Sequence, residues 1–300
     1  MLAVVAWVLA GFAAAWHLAH PGRSHAEPRL GREAGFEDVT LQTSDGVRIE
    51  GWYARPDAEP VGTLLVLHER EGHRSAERLL FAVEQGWAAL ALDLRGCGDS
   101  QDAVTGFGWH ERLDVEAALA WIERRQGLAE VDAPVVGWGR SLGAAALVYA
   151  EALRGASVQP DGKLVMAPGF QPHRVDGLVL ESLYRDIDTA FANRVQQNVP
   201  LPAGLARVLL EPVPRAAEIV AGVTRRELRP VDLLPFLEDV PMALAGGARD
   251  PLCTPAELDD LAGAAQHADV VRLDAGHEDF LRFEAWREAV VRFLGAATTR

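Results

Sequence analysis

Two cysteines in 300 residues, Cys97 and Cys253, fit neither a disulfide framework nor a metal-ligand spacing. They read as free thiols and leave the redox compartment open. Basic charge is also scarce: 29 Lys plus Arg against 43 Asp plus Glu give a formal net charge of −14. A phosphate backbone would repel such a body, which argues against nucleic acid as a partner. Charged side chains are missing altogether between Leu2 and Ala19, and no Lys or Arg stands ahead of that stretch, where a secretory signal would want one. There is no internal repeat. The remaining balance, 49% hydrophobic and 24% charged, is that of an ordinary globular chain and excludes wholesale disorder.

What the N-terminus does contain is Ala, Val, Leu, Phe and Trp. As a helix, Leu2 to Ala19 would reach roughly 27 Å, enough for a thin hydrocarbon core. Residues 1–19 are therefore expected to anchor the chain in a membrane through residues 2–19. One alternative is a signal cleaved near Ser24-His25-Ala26, leaving a secreted or periplasmic body; another is a buried helix of that body. Arg23, Arg29 and Arg32 on the flank favour the cytoplasmic side. Residues 20–35, with Pro21, Gly22, Pro28 and Gly31 among charges, read as a linker, and 36–300 as the folded domain.

Within that domain, Asp38 to Thr43 and Val47 to Ala54 alternate across Ser44-Asp45-Gly46, a hairpin signal. Apolar strands and amphipathic helices then take turns. Strands are predicted at Thr63–Leu67, Ala88–Leu92, Pro134–Trp138, Leu178–Leu180, Met242–Ala245 and Val270–Leu273. Helices are predicted at about Ser75–Gln85, Trp109–Arg125, Leu142–Leu153, Pro255–Gln266 and Phe280–Leu294. This order implies an α/β fold, a mostly parallel sheet wrapped by helices. Two inserts interrupt it: Gln159 to Arg174, and a Pro-containing stretch at about 184–234, the natural candidate for a lid.

The chemistry concentrates at three points. Gly139-Arg140-Ser141-Leu142-Gly143 fits the nucleophile-elbow pattern Gly-x-Ser-x-Gly, after a short apolar strand and ahead of an Ala-rich helix. A sharp strand-to-helix turn strains the backbone, and flanking glycines remove Cβ atoms that would clash. The serine hydroxyl needs a base, and the base needs an orienting acid. Asp250 follows the strand ending at Ala245, and His277 follows the strand ending at Leu273, so both leave the same sheet edge as Ser141. The order Ser, Asp, His is the one this architecture uses. Competing roles exist: Asp250 as a helix cap (though Thr254 is better placed), and Asp274 or Asp279 as the partner of His277.

On these residues the body from Gly35 to Leu294 resembles the α/β-hydrolase superfamily. Leu92-Asp93-Leu94-Arg95-Gly96-Cys97-Gly98-Asp99-Ser100 matches its Asp-x-Arg-Gly-x-Gly-x-Ser turn. Within it, the chain is most similar to single-domain serine hydrolases with an N-terminal membrane segment and a short lid, of the esterase, thioesterase or peptidase-like branch. The resemblance implies an ester, thioester or amide substrate and no cofactor, with no metal. It also implies an oxyanion hole built, by position, from the backbone N–H groups of Arg70 and Leu142. The family usually has His-Gly-x there; this chain reads His68-Glu69-Arg70-Glu71-Gly72. Glu69 could push the loop away, put a carboxylate near substrate, face solvent or pair with Arg70.

The expected function is a serine hydrolase acting through Ser141, His277 and Asp250 on a small-molecule or acylated substrate, most simply a carboxylic ester. A membrane-tethered, non-catalytic binding protein of the same fold, or an acyltransferase with the same triad, are the competing readings. An Asp nucleophile of the dehalogenase kind is disfavoured by Ser141 at the elbow.

Overall fold

Asp45-Gly46 turns the chain between β1 (Glu37–Gln42) and β2 (Arg48–Ala54), which pair antiparallel with Leu41 opposite Ile49. From there the computed structural model alternates strand and helix. It describes residues 2–20, 22–26, 28–129, 133–154, 156–158, 164–166, 174–198, 210–277 and 279–299. The strands are β3 (Thr63–Leu67), β4 (Ala88–Leu92), β5 (Val135–Arg140), the short pair β6 (Ala156–Val158) and β7 (Leu164–Met166), then β8 (Gly177–Glu181), β9 (Met242–Gly247) and β10 (Ala268–Leu273). Eight of them form one sheet in the order β1-β2-β4-β3-β5-β8-β9-β10. The first three neighbours are antiparallel and every later pairing is parallel. This is the α/β-hydrolase fold: a mostly parallel sheet, an antiparallel N-terminal hairpin and helices on both faces.

Strand alternation divides the core in two. Leu65, Leu67, Leu90 and Leu92 point to one face, where they meet the helices Arg112–Ala129 and Leu142–Ala152. Leu64, Val66, Ala89, Ala91 and Trp138 point to the other, under the helices Ala76–Glu84 and Glu284–Ala297. A central strand covered on both sides needs no polar face, hence the continuous apolar runs. Helix starts follow local chemistry. Ser75 caps the Ala76 helix by accepting the Arg78 N–H, and Thr254 with Glu257 forms a capping box ahead of Pro255.

The insert at Tyr184 to Leu234 carries the helices Ile187–Asn198 and Pro212–Ala221 and a 3₁₀ turn at Pro230–Asp232, with a second at Leu234–Leu237 leading out of it; residues 199–209 lie outside the described part. Most of the Gln159–Arg174 insert lies outside it as well.

The expectation of a membrane-spanning segment is not met. Among the described residues no helix is long and apolar enough to cross a membrane. Leu2–Ala19 is a helix, and the body uses it as a packing surface. Its small residues Gly11, Ala15 and Ala19 lie one turn apart on a buried stripe, and Gly11 sits against Pro212. Val5, Leu9 and Trp16 remain exposed on its outer side.

Candidate active site

β5 runs straight into the Leu142–Ala152 helix, and the turn between them falls on Ser141, held at φ 49° and ψ −106°. A side chain costs strain at such a positive φ. The glycines on either side have no alternative: a Cβ on Gly139 would stand 2.6 Å from Ala144 N, and one on Gly143 2.7 Å from Leu67 Cβ. Two backbone hydrogen bonds pin the turn. The Ser141 N–H donates to Glu181 O at 2.8 Å, and the Gly143 N–H donates to His68 O at 3.1 Å. Leu142 opens the helix, so its N–H has no carbonyl one turn back within the helix and sits at the positive end of the dipole.

Asp250 and His277, which leave β9 and β10, meet: His277 Nδ1 lies 2.8 Å from Asp250 Oδ2. The same carboxylate accepts Ser182 Oγ at 3.1 Å and the Leu252 and Cys253 N–H groups at 2.8 and 2.9 Å. Burial pushes the Asp250 carboxyl up. The His277 hydrogen bond and charge and the two N–H donors outweigh it and hold the group below the ordinary carboxylate range. An ionised Asp250 can only accept, so Nδ1–H of His277 is the donor in this pair. The competing partners are engaged elsewhere: Asp279 receives both Arg78 Nη atoms at 2.8 Å, and Asp274 pairs with Arg249 at 2.8 Å. The cap of the Pro255 helix is Thr254.

Ser141, His277, Leu142 and Arg70 share the wall of one cavity. Among the described residues the Ser141 hydroxyl and the imidazole share that wall without a hydrogen bond. Contacts of this kind tighten when substrate docks. The rest of the lining is largely apolar, with Phe107, Ile187, Phe191, Val213, Val223 and Leu228 prominent, much of it from the insert predicted as a lid.

The loop from His68 to Gly72 is tightly built. The Leu94 N–H donates to His68 Nε2 at 2.9 Å, so Nδ1 carries the proton and donates to Glu69 O at 2.5 Å. Burial lowers the His68 pKa, which keeps the ring neutral in this role. Glu69 and Arg70 do not pair with each other. Glu69 binds Arg140 at 3.0 Å, while Arg70 binds Glu71 and the carbonyls of His17 and Leu18. The Asp93 to Ser100 turn is scaffolding behind this loop. Asp93 holds Arg74 at 2.9 Å, and Arg95 makes a two-pronged pair with the buried Asp114.

Donor atoms of Asp250, Cys253 and His277 lie within 4.8 Å of one another, close enough for a metal ion. In this structure each of the three is engaged within the protein. Burial pushes the Cys253 thiol well above its ordinary range, and its Sγ donates to Ser182 O at 3.0 Å. Cys97 is likewise buried, its thiol pushed up to about 12.

Three contributors are not apparent from the sequence. Ser182, at φ 46° just past β8, reaches Asp250. Glu181 carries the Ser141 N–H. Arg140 links Glu69 to the His277 carbonyl at 3.3 Å. Ser182 had one signal: it follows a strand at the sheet edge from which Ser141, Asp250 and His277 emerge.

Solved structures share this architecture. An esterase of Pyrococcus furiosus superposes with a TM-score of 0.68 at 21% identity, over 93% of this chain and 99% of that one. An acetyl xylan esterase from Paenibacillus sp. R4 gives 0.64 at 20%, over 87% and 83%. Among curated proteins, an uncharacterized protein found in two strains of Mycobacterium tuberculosis is 33% identical over 138 residues. That match covers 44% of this chain, and the chain spans only 45% of the length of those relatives. The profile described as the alpha/beta hydrolase family matches residues 64–293, from β3 to the C-terminal helix. The chain belongs to the alpha/beta hydrolase family.

Proposed function

We propose that this protein is a serine hydrolase that cleaves carboxylic esters, or the related thioesters and amides, through an acyl-enzyme. The observation that carries the reading is the Asp250–His277 hydrogen bond beside a strained Ser141 in one largely apolar cavity. Ser141 Oγ attacks the substrate carbonyl while His277 Nε2 takes its proton. The carbonyl π electrons move onto oxygen, and the Leu142 and Arg70 N–H groups stabilise the charge there. Collapse expels the leaving group, which receives the proton from His277. Water, deprotonated by the same Nε2, then releases the acid. Asp250 stays ionised throughout, orienting the imidazole and stabilising its charged form. The likeness to esterases in fold supports the substrate class.

A fluorophosphonate probe tests this directly. Wild-type protein is expected to label and to hydrolyse short nitrophenyl esters, with both lost in Ser141→Ala and His277→Ala. Equal behaviour of wild type and Ser141→Ala would refute the reading.

A further inference from the structure

The N-terminal helix does more than cover the body. An α-helix leaves its last four carbonyls without partners inside the helix. Here each one has a donor. Trp16 O receives the His20 N–H at 2.9 Å, His17 O and Leu18 O each receive Arg70 Nη2 at 3.2 Å, and Ala19 O receives the Thr105 N–H at 2.9 Å. Three of these four thus end on two loops of the catalytic face. Thr105 lies two residues before Phe107, which lines the cavity, and Arg70 lies in the oxyanion loop. The Arg70 side chain is only 14% exposed, and a guanidinium at a helix C-terminus meets the negative end of the dipole. Leu18, on the same turn, forms part of the cavity wall. Further along, Gly11 permits an approach to Pro212 that a Cβ would block, since it would stand 2.5 Å from Pro212 Cβ. Pro212 opens the lid helix, whose Val213, Pro214 and Ala217 line the same cavity.

We infer that the last turn of the N-terminal helix is part of the substrate site: Leu18 sets the length of aliphatic chain the cavity accepts, and Arg70 is a positioning residue whose clasp on the His17 and Leu18 carbonyls fixes the backbone N–H of the oxyanion loop. The inference rests on the serine-hydrolase reading above and makes the helix a working component of the enzyme. An uncharged substrate chain would run from the Ser141 carbonyl site between Leu18, Phe107 and the lid helix. Removing the Arg70 side chain keeps its N–H but frees the loop, so the loss falls on the transition state, where the oxyanion forms, and not on ground-state binding.

The full-length protein and its Leu18→Trp, Arg70→Ala, Arg70→Lys and Gly11→Leu variants would be assayed on nitrophenyl acetate, butyrate and decanoate. Fluorophosphonate labelling of Ser141 serves as the count of competent sites. Leu18→Trp is expected to lower the decanoate-to-acetate ratio of kcat/KM by tenfold or more. Arg70→Ala is expected to lower kcat about tenfold at every chain length with KM within twofold, and Arg70→Lys to recover part of that loss. Gly11→Leu, remote from the chemistry, is expected to depress kcat and decanoate preference together. If the wild type labels and turns over, yet Leu18→Trp leaves the ratio within twofold and Arg70→Ala leaves kcat unchanged, this inference is overturned while the hydrolase reading stands. If the wild type neither labels nor turns over, both fall.

Discussion

The carbonyl of Glu181 accepts the Ser141 N–H at 2.8 Å, while its carboxylate, wholly buried, accepts Trp138 Nε1 at 2.8 Å, Trp286 Nε1 at 2.7 Å and Arg78 Nη2 at 2.7 Å. One residue therefore holds the strained elbow with its backbone and ties two helices beneath the sheet with its side chain. A buried carboxylate is tolerated only with such complete pairing.

Glu181→Ala is accordingly expected to be costly. It strands Arg78 and both indole N–H groups, and losing one member of a buried pair costs about 3–5 kcal/mol. Urea unfolding followed by tryptophan fluorescence would read this as a lower midpoint. An unchanged midpoint would show that the network contributes nothing to stability.

Asp250→Asn addresses the acid. An amide can present its NH₂ to Nδ1 and favour the wrong tautomer, a change that lowers turnover by about 10⁴ in the well-studied triad used as the template for this chemistry. A loss of about 10³ or more in kcat is expected here, with the fold intact by circular dichroism. Ser182→Ala, which removes one of four hydrogen bonds to the carboxylate, is expected to cost tenfold or less.

Arg140 joins two loops that must agree in position. Its Nη1 holds Glu69 at 3.0 Å and its Nη2 the His277 carbonyl at 3.3 Å. Arg140→Ala is expected to lower kcat/KM about tenfold, because small misplacements of catalytic groups are expensive. Steady-state kinetics on a short ester would check it; parity with wild type would assign the pair to the surface alone.

The hairpin turn gives a pH signature. The Arg95 hydrogen bonds to Asp45, at 2.7 and 3.1 Å, hold its carboxyl down to about 2 from an ordinary 3.8. A folded-state pKa below the unfolded one contributes stability that is fully present above about pH 4. That stability is lost as pH falls towards about 2. Asp45 is substantially exposed, so the effect is expected to stay under about 1 kcal/mol. The gap in unfolding midpoint between wild type and Asp45→Asn should be open at pH 6 and close between pH 4 and 2. A gap that stays constant over that range would exclude this pair as its source.

Much of the sheet could be read from the chain because continuous apolar runs such as Thr63–Leu67 suit only strands covered on both faces. Boundaries moved where turns intervened. The helix expected from Trp109 starts at Arg112, since Phe107 and Gly108 adopt positive φ first. The geometry of Asp250 and His277 was accessible because each follows a strand. The partnership of Ser182 with Asp250 was not, because it needs β8 and β9 to be neighbours. Glu69 and Arg70 were open for the same reason: their partners come from the elbow and from the N-terminal helix. For Leu2–Ala19, composition alone does not separate a lipid-facing helix from one packed on protein. The packing of its Gly11, Ala15 and Ala19 stripe could not be read there, because it has meaning only once the lid helix is beside it.

The two buried thiols carry a consequence for chemical reactivity. Oxidation and alkylation proceed through the thiolate, and both Cys97 and Cys253 are held protonated at neutral pH. Both thiols are therefore expected to react slowly with alkylating reagents as long as the chain stays folded.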